Sequence, residues 1–282
     1  MLKNDIHDPA WFYDLEWVPD AAGAIKLYDL PSDTSEQQAI ETLWQNTTGY
    51  DAEKCPRPFV KYLFSRVVSI AFLSRRVSFN ADRERKVEFG LHSLPKLPLE
   101  SSRSDEAQII SQFLHFVGVR DPQLVGFNSS ESDLQVLIQR GLVNEVRAEA
   151  FSARPNKPWE GRDYFEKFGE AHLDLIKLLS PGAMKPTLNG LARLCGFPGK
   201  IDMAATDVVD MWLAGDLTSI IKYNQIDTLN TYLIWLRVVN FTGKLSEEEY
   251  ITEQEDFHEF LDNEAAKEGN DHLERFLSKM EF

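Results

Sequence analysis

The segment WFYDLEWV, Trp11 to Val18, sets two carboxylates into an otherwise apolar, aromatic-rich run. Strand alternation puts Phe12, Asp14 and Glu16 on one face and Trp11, Tyr13, Leu15 and Trp17 on the other. Two acids so spaced lie about 7 Å apart at Cα. Burying both without a countercharge is costly. The segment therefore predicts either a strand end with wetted acids or a buried strand whose acids meet cations or hydrogen-bond donors. Pro19 ends it.

The rest of the chain switches between strand and helix periods. Residues 20–58 read as irregular with one helix around Ser35 to Trp44. RVVSIAFLS, Arg66 to Ser74, predicts a strand, and Val87, Phe89 and Leu91 alternate in the next. Ile109, Ile110, Phe113, Leu114 and Val117 form a helical stripe. Leu124 to Phe127 predicts a short strand, followed by a helix carrying Leu134, Leu137 and Ile138. His172 to Ile176 is the last strand expected; Leu188 to Leu194, Val208 to Leu213 and Leu217 to Phe241 are expected as helices. Three strands, a helix, a strand, a helix, a strand and then helices predict a three-layer α/β domain. Sites in such sheets form at the carboxyl ends of strands. Asp14 and Glu16 lie near one such end, and Asn128 and Asp133 follow another.

Composition narrows the function classes. A 282-residue chain with 43% hydrophobic residues is not disordered throughout. It holds no run of 18 apolar residues, so no helix is expected to span a membrane. The opening MLKNDIHDPAWFYDLEW has acids where a secretory signal has an apolar stretch, so a cytoplasmic location is expected. Cys55 and Cys195 supply neither a disulfide framework nor a zinc site. The net charge of −15 argues against nucleic acid at first sight. From Leu245 to Phe282, however, 13 acids stand against 3 bases, so −10 of the −15 sits in that tail. The tail is expected as an acidic, helical extension over residues 245–282, packed on the domain edge or partly free. The loop 147–168 mixes Arg147, Arg154, Lys157, Arg162 and Lys167 with Phe151, Trp159, Tyr164 and Phe165. That composition suits single-stranded nucleic acid or a mobile surface loop.

Two further motifs carry potential chemistry. In Asn128-Ser-Ser-Glu-Ser-Asp133, the Ser130-x-x-Asp133 spacing also matches a capping box, a purely structural use for the aspartate. Tyr223 and Asp227 fall one turn apart on one face of an apolar helix. There a cation, or the tyrosine hydroxyl, would satisfy the acid. Asp174 in HLDL reads as scaffold.

Taken in order, D-x-E, N-x4-D and Y-x3-D form the pattern of the DnaQ-like 3′–5′ exonucleases in their tyrosine variant. The chain resembles most the predicted exonucleases related to the proofreading domain of family-B DNA polymerases. The segments YDLEWVPD, LVGFNSSESDLQVLIQRGLV, HLDLIKLLS, LNGLARLCGFPGKIDM and WLAGDLTSIIKYNQIDTLNTYLIWLR carry the resemblance. It implies an RNase H-like fold over residues 1–244, with a mixed five-stranded sheet flanked by helices. It implies two divalent cations, Mg²⁺ or Mn²⁺, held by Asp14, Glu16, Asp133 and Asp227. Tyr223 is implied beside the attacking water, and Asn128, Leu15 and Trp17 at the substrate. The implied substrates are the 3′ ends of single-stranded DNA or RNA.

The chemistry agrees with that assignment. Phosphodiester hydrolysis needs an activated water and neutralisation of charge on the phosphate, which paired metals provide. Tyrosine, with an ordinary pKa near 10, orients a water better than it deprotonates one. Two positions depart from the family pattern: Trp17 replaces a small residue, and Ser132 replaces an aromatic one. Alternation places the Trp17 ring opposite the carboxylates; a twist at the strand end would let it stack on a terminal base. The expected activity is DNA digestion from the 3′ end. An oligoribonucleotide exonuclease and a catalytically idle binding domain of the same fold are the alternatives.

Overall fold

The computed structural model describes residues 2, 6–79, 83–166, 169–182, 184–201 and 208–280. Lys167 and the residues that follow Ile201 in the GFPGKIDM segment lie outside them. Five strands form one sheet: β1 (Ala10–Pro19), β2 (Ser65–Phe79), β3 (Arg85–Leu94), β4 (Gln123–Gly126) and β5 (His172–Asp174). The order is β3-β2-β1-β4-β5. The β1–β2 and β2–β3 pairs are antiparallel. The β1–β4 and β4–β5 pairs are parallel. This is the mixed five-stranded α/β sheet of an RNase H-like fold.

Alternation along β1 holds in three dimensions. Trp11, Tyr13 and Leu15 pack with Phe113 of α3 (Glu106–Arg120) and Leu134 of α4 (Asp133–Val143). On the other face Phe12 packs with Tyr232 and Trp235 of α8 (Leu217–Phe241), ring centroids 5.0 and 4.9 Å away. Each such aromatic pair contributes about 1 kcal/mol beyond its buried area. The sheet is thus sandwiched between helices, and α8 lies across the face that bears the two acids.

The stretch read as irregular with one helix holds two. Ser35 caps α2 (Glu36–Gln45) in a full capping box with Gln38. Asp20 caps the unexpected α1 (Ala21–Leu27) by accepting the Gly23 amide. A one-turn 3-10 helix, Tyr62–Phe64, precedes β2. Only His172–Asp174 of the last expected strand pairs, because Asp174 there caps α5 (Leu175–Leu179) through the Ile176 amide. Helices α6 (Leu188–Leu194) and α7 (Val208–Leu213) follow. In the loop 147–168, Phe151 and Tyr164 stack at 5.3 Å inside the α3–α4 core, while Trp159 points to solvent.

Beyond Leu245 the chain forms α9 (Glu247–Ala265) and α10 (Asp271–Leu277). Phe257, Leu261, Leu273 and Phe276 are buried in the same core as Phe12 and Trp235. The acids of this tail lie mostly on its outer faces, and its apolar side covers β3 and α8.

Candidate metal centre

Strand β1 brings Asp14 and Glu16 to the face that α8 covers, and α8 brings Asp227 to meet them. One carboxylate oxygen from each lies within 4.8 Å of the others. The β1–β2 register shifts between Glu16 and Trp17, where Val68 of β2 is the extra residue. Helix α8 starts at Asp216, whose side chain accepts the Ser219 amide, and runs 25 residues as a mostly buried rod. Its length holds Asp227 deep in the molecule, where a flexible loop would not.

Charge balance is poor among these acids. Burial, then the charges of Asp133, Glu16 and Asp227, push the Asp14 carboxyl well above its ordinary value. Burial and Asp227 do the same to Glu16. Asp227 is also raised by burial, opposed by the Lys200 ammonium. Its Oδ1 is buried and has no hydrogen-bond partner among the described residues. An unpaired buried carboxylate oxygen is rare and costly. Asp14 does better: its Oδ2 accepts from Asn224 Nδ2 at 2.7 Å, and Asn224 Oδ1 accepts from Ser69 Oγ at 3.1 Å.

Asp133 adjoins this trio without joining it at that spacing. Strand β4 stops pairing with β1 at Phe12. Beyond that point Asp133 Oδ1 accepts the Leu15 amide at 3.1 Å, and Oδ2 accepts from Ser132 Oγ at 2.6 Å. Burial raises its pKa to about 6, against the lowering pull of those donors. The capping-box spacing is not used: Ser132, not Ser130, precedes α4, and no side chain caps that helix.

The loop that carries Asp133 is clamped from β5. Asp174 accepts the amides of Asn128 at 2.9 Å and Ser130 at 3.1 Å, as well as the Ser130 hydroxyl. Asn128 adopts a left-handed φ of 65°, a conformation asparagine tolerates. A Cβ on Gly126 would lie 2.4 Å from Ser129, so glycine is required for the loop to fold back. The Asn128 side chain faces outward and accepts from Lys185 Nζ at 3.1 Å.

Tyr223 lies one turn before Asp227 on α8, and its hydroxyl accepts from Lys200 Nζ. Burial and the charges of Asp227, Glu16 and Asp14 push the phenol far above its ordinary value, so it stays protonated. Leu15 is 3% exposed among the α3–α4 side chains, and only its amide reaches the site. The Trp17 ring points to the same side and meets Tyr62 edge-on at 6.5 Å.

Two functional neighbours were not singled out from the sequence. Asn224 was hidden in the apolar pattern of α8. Lys200, at the end of GFPGK, lies 3.5 Å from Asp227 Oδ2 and donates to the Tyr223 hydroxyl. Its backbone is fixed from both sides: the Lys200 amide donates to Asn189 Oδ1 at 2.9 Å, and Gly199 exchanges two hydrogen bonds with Asn230. Gly199 has φ +65°, and a Cβ there would meet Asn189 Oδ1 at 2.5 Å. Gly196 and Gly199, on either side of Phe197-Pro198, were the available signal of a tight turn at this lysine.

Residues 57–280 match the model of a family described as a predicted 3′–5′ exonuclease related to the exonuclease domain of PolB. The chain belongs to that family. The matched span holds Asn128, Asp133, Lys200, Tyr223 and Asp227 and starts after Asp14 and Glu16, which the fold adds to it. No curated protein matches the chain. Among the described residues no helix is long and apolar enough to cross a membrane.

Proposed function

We propose that this protein is a divalent-metal-dependent 3′–5′ exonuclease that shortens single-stranded nucleic acid, preferring DNA to RNA. One observation supports this above the rest. Three carboxylates from a strand and a helix far apart in the chain converge in a partly buried place, with too little positive charge to balance them. The fit to a metal is good: the donors are all carboxylate oxygens, as Mg²⁺ and Mn²⁺ favour. The orphaned Oδ1 of Asp227 is a ready ligand atom.

In this reading Asp14, Glu16, Asp227 and Asp133 hold two cations. Bound there, these would polarise the scissile phosphate and lower the pKa of a water. The protein's own groups do the rest. Asn224 fixes the Asp14 carboxylate in one orientation. Tyr223, kept protonated by the acids around it, orients the attacking water through its hydroxyl and does not deprotonate it. Lys200 sets a positive charge beside Tyr223 and Asp227, where negative charge builds on the phosphate. Asp174 acts at one remove by holding the loop that delivers Asp133.

The test is digestion of a 5′-labelled single-stranded oligonucleotide in Mg²⁺ or Mn²⁺, with a matched RNA strand alongside. The intact protein is expected to give a ladder that shortens from the 3′ end, faster on DNA. Asp14→Ala and Asp227→Ala are expected to give none while they keep the native circular dichroism spectrum. Wild-type digestion by either variant overturns the metal assignment.

A further inference from the structure

Outside the carboxylates, the most unusual feature is the turn before β2. Along PFVKYLF, Pro58 and Val60 point inward while Phe59 and Lys61 point out. Phe59 is 65% exposed. Its ring meets that of Tyr62 edge-on at 5.4 Å, and Tyr62 in turn rests on Trp17, the residue after Glu16. The three rings form a row from the residue after Glu16 out to solvent. The turn packs against α4, the helix that Asp133 begins, and burial with the charges of Asp133 and Glu131 raises the Tyr62 phenol.

The turn is held more firmly than a surface loop requires. Buried Arg140 of α4 donates to the Leu63 carbonyl at 2.7 Å, and the Asp20 amide donates to the Phe64 carbonyl at 2.8 Å. Arg140 is itself fixed by Glu106, at 2.8 and 2.6 Å, and by Asp20 at 2.8 Å. A buried charged triad of this kind adds little to stability, and fixing one conformation is its better-attested use. Here it ties the aromatic turn to the exit of β1 and to α4, the two elements that carry Glu16 and Asp133.

We infer that Phe59 and Tyr62, backed by Trp17, are the platform on which the 3′-terminal bases of a single-stranded nucleic acid stack. This rests on the exonuclease reading and names how that site grips its substrate. The row begins at the residue that follows Glu16, and exposed Lys61, next to Tyr62 in the turn, offers charge to a phosphate backbone. Stacking is indifferent to base identity, as a stepwise exonuclease requires.

The test uses the full chain and two oligothymidylates, one intact and one abasic at its two 3′-terminal positions. Phe59→Ala and Tyr62→Ala are each expected to raise KM about tenfold on the intact strand with kcat near wild type. Neither is expected to change KM on the abasic strand, and Tyr62→Phe, which keeps the ring, should match wild type on both. Wild-type KM for both alanine variants on the intact strand overturns the platform. Equal losses on the two strands also overturn it, since they would mean that the turn only supports the fold. If the unmutated protein digests neither strand, the exonuclease reading falls and takes the platform with it.

Discussion

Of the places where this molecule buries acids, two treat them in opposite ways. On one side of α8, Glu253 of α9 is fully buried beneath β2 and β3. Arg75 meets it with two hydrogen bonds, at 2.6 and 2.8 Å, and Arg85 and Tyr232 add others. Burial alone would raise its carboxyl, but the two guanidinium groups outweigh that and hold it below its ordinary value. In the candidate metal centre, Asp14, Glu16 and Asp227 have Lys200 as the cation that acts on them, and they and neighbouring Asp133 are all raised. Burial is common to both places; what separates them is whether the protein supplies its own countercharge. Where it does, the acid is scaffold. Where it does not, the acids stay raised and one carboxylate oxygen, Asp227 Oδ1, lacks a partner among the described residues.

The contrast can be broken most forcefully at Glu253. Glu253→Ala should cost about 3–5 kcal/mol in urea unfolding, because two buried guanidinium groups lose their anion. Its affinity for Mn²⁺ should not change. A loss below about 1 kcal/mol would show that this network is not the self-satisfied partner of the comparison.

Tyr223→Phe comes next. Loss of a hydroxyl that bonds a charged group should slow digestion roughly tenfold to hundredfold, about 1.5–3 kcal/mol, with Mn²⁺ affinity kept by calorimetry. Weakened Mn²⁺ binding would turn the tyrosine from a water-orienting group into part of the ligand set.

Asp14→Asn carries a smaller effect of opposite sign. Removing one of several like charges should stabilise the metal-free protein by about 1 kcal/mol in the same unfolding assay. A destabilised variant would place Asp14 with Glu253, among the scaffold acids.

The pH dependence sharpens the same distinction. Burial lifts Asp133 from an ordinary 3.8 to about 6, so folding favours its neutral form. The stabilisation that it contributes is complete below about pH 4 and disappears as pH rises through about 6. The melting temperature of the metal-free protein should therefore fall across that window. Added Mn²⁺ should restore more of it at about pH 7.5 than at about pH 5, because cations favour the ionised cluster. An equal gain at both values would separate metal binding from these carboxylates.

Much of this was legible because it is local. The alternation in WFYDLEWV placed both faces of β1, and the four-residue spacing of Tyr223 and Asp227 survives on α8. What escaped depends on partners far along the chain. The tail helix buries Glu253, Phe257, Leu261 and Ala265, a stripe of period four. Its first member is an acid whose arginines lie 178 and 168 residues away, so it passed for part of a solvated face. Arg140 was an ordinary last-turn base until Glu106 and Asp20, 34 and 120 residues upstream, came round it. Lys200 had no local signature beyond its glycines. Helix α1 hid because it is a single short segment whose cap, Asp20, follows directly on the proline that ends β1.

The way Asp133 takes up the Leu15 amide has a practical consequence. Past Phe12, β1 has no strand partner on its β4 side among the described residues. A side chain takes that place: the Asp133 carboxylate holds the buried Leu15 amide. A substitution there would orphan that amide and disturb the strand as well as any chemistry. Asp14, whose partner is the Asn224 side chain, is the cleaner position at which to test the proposed centre.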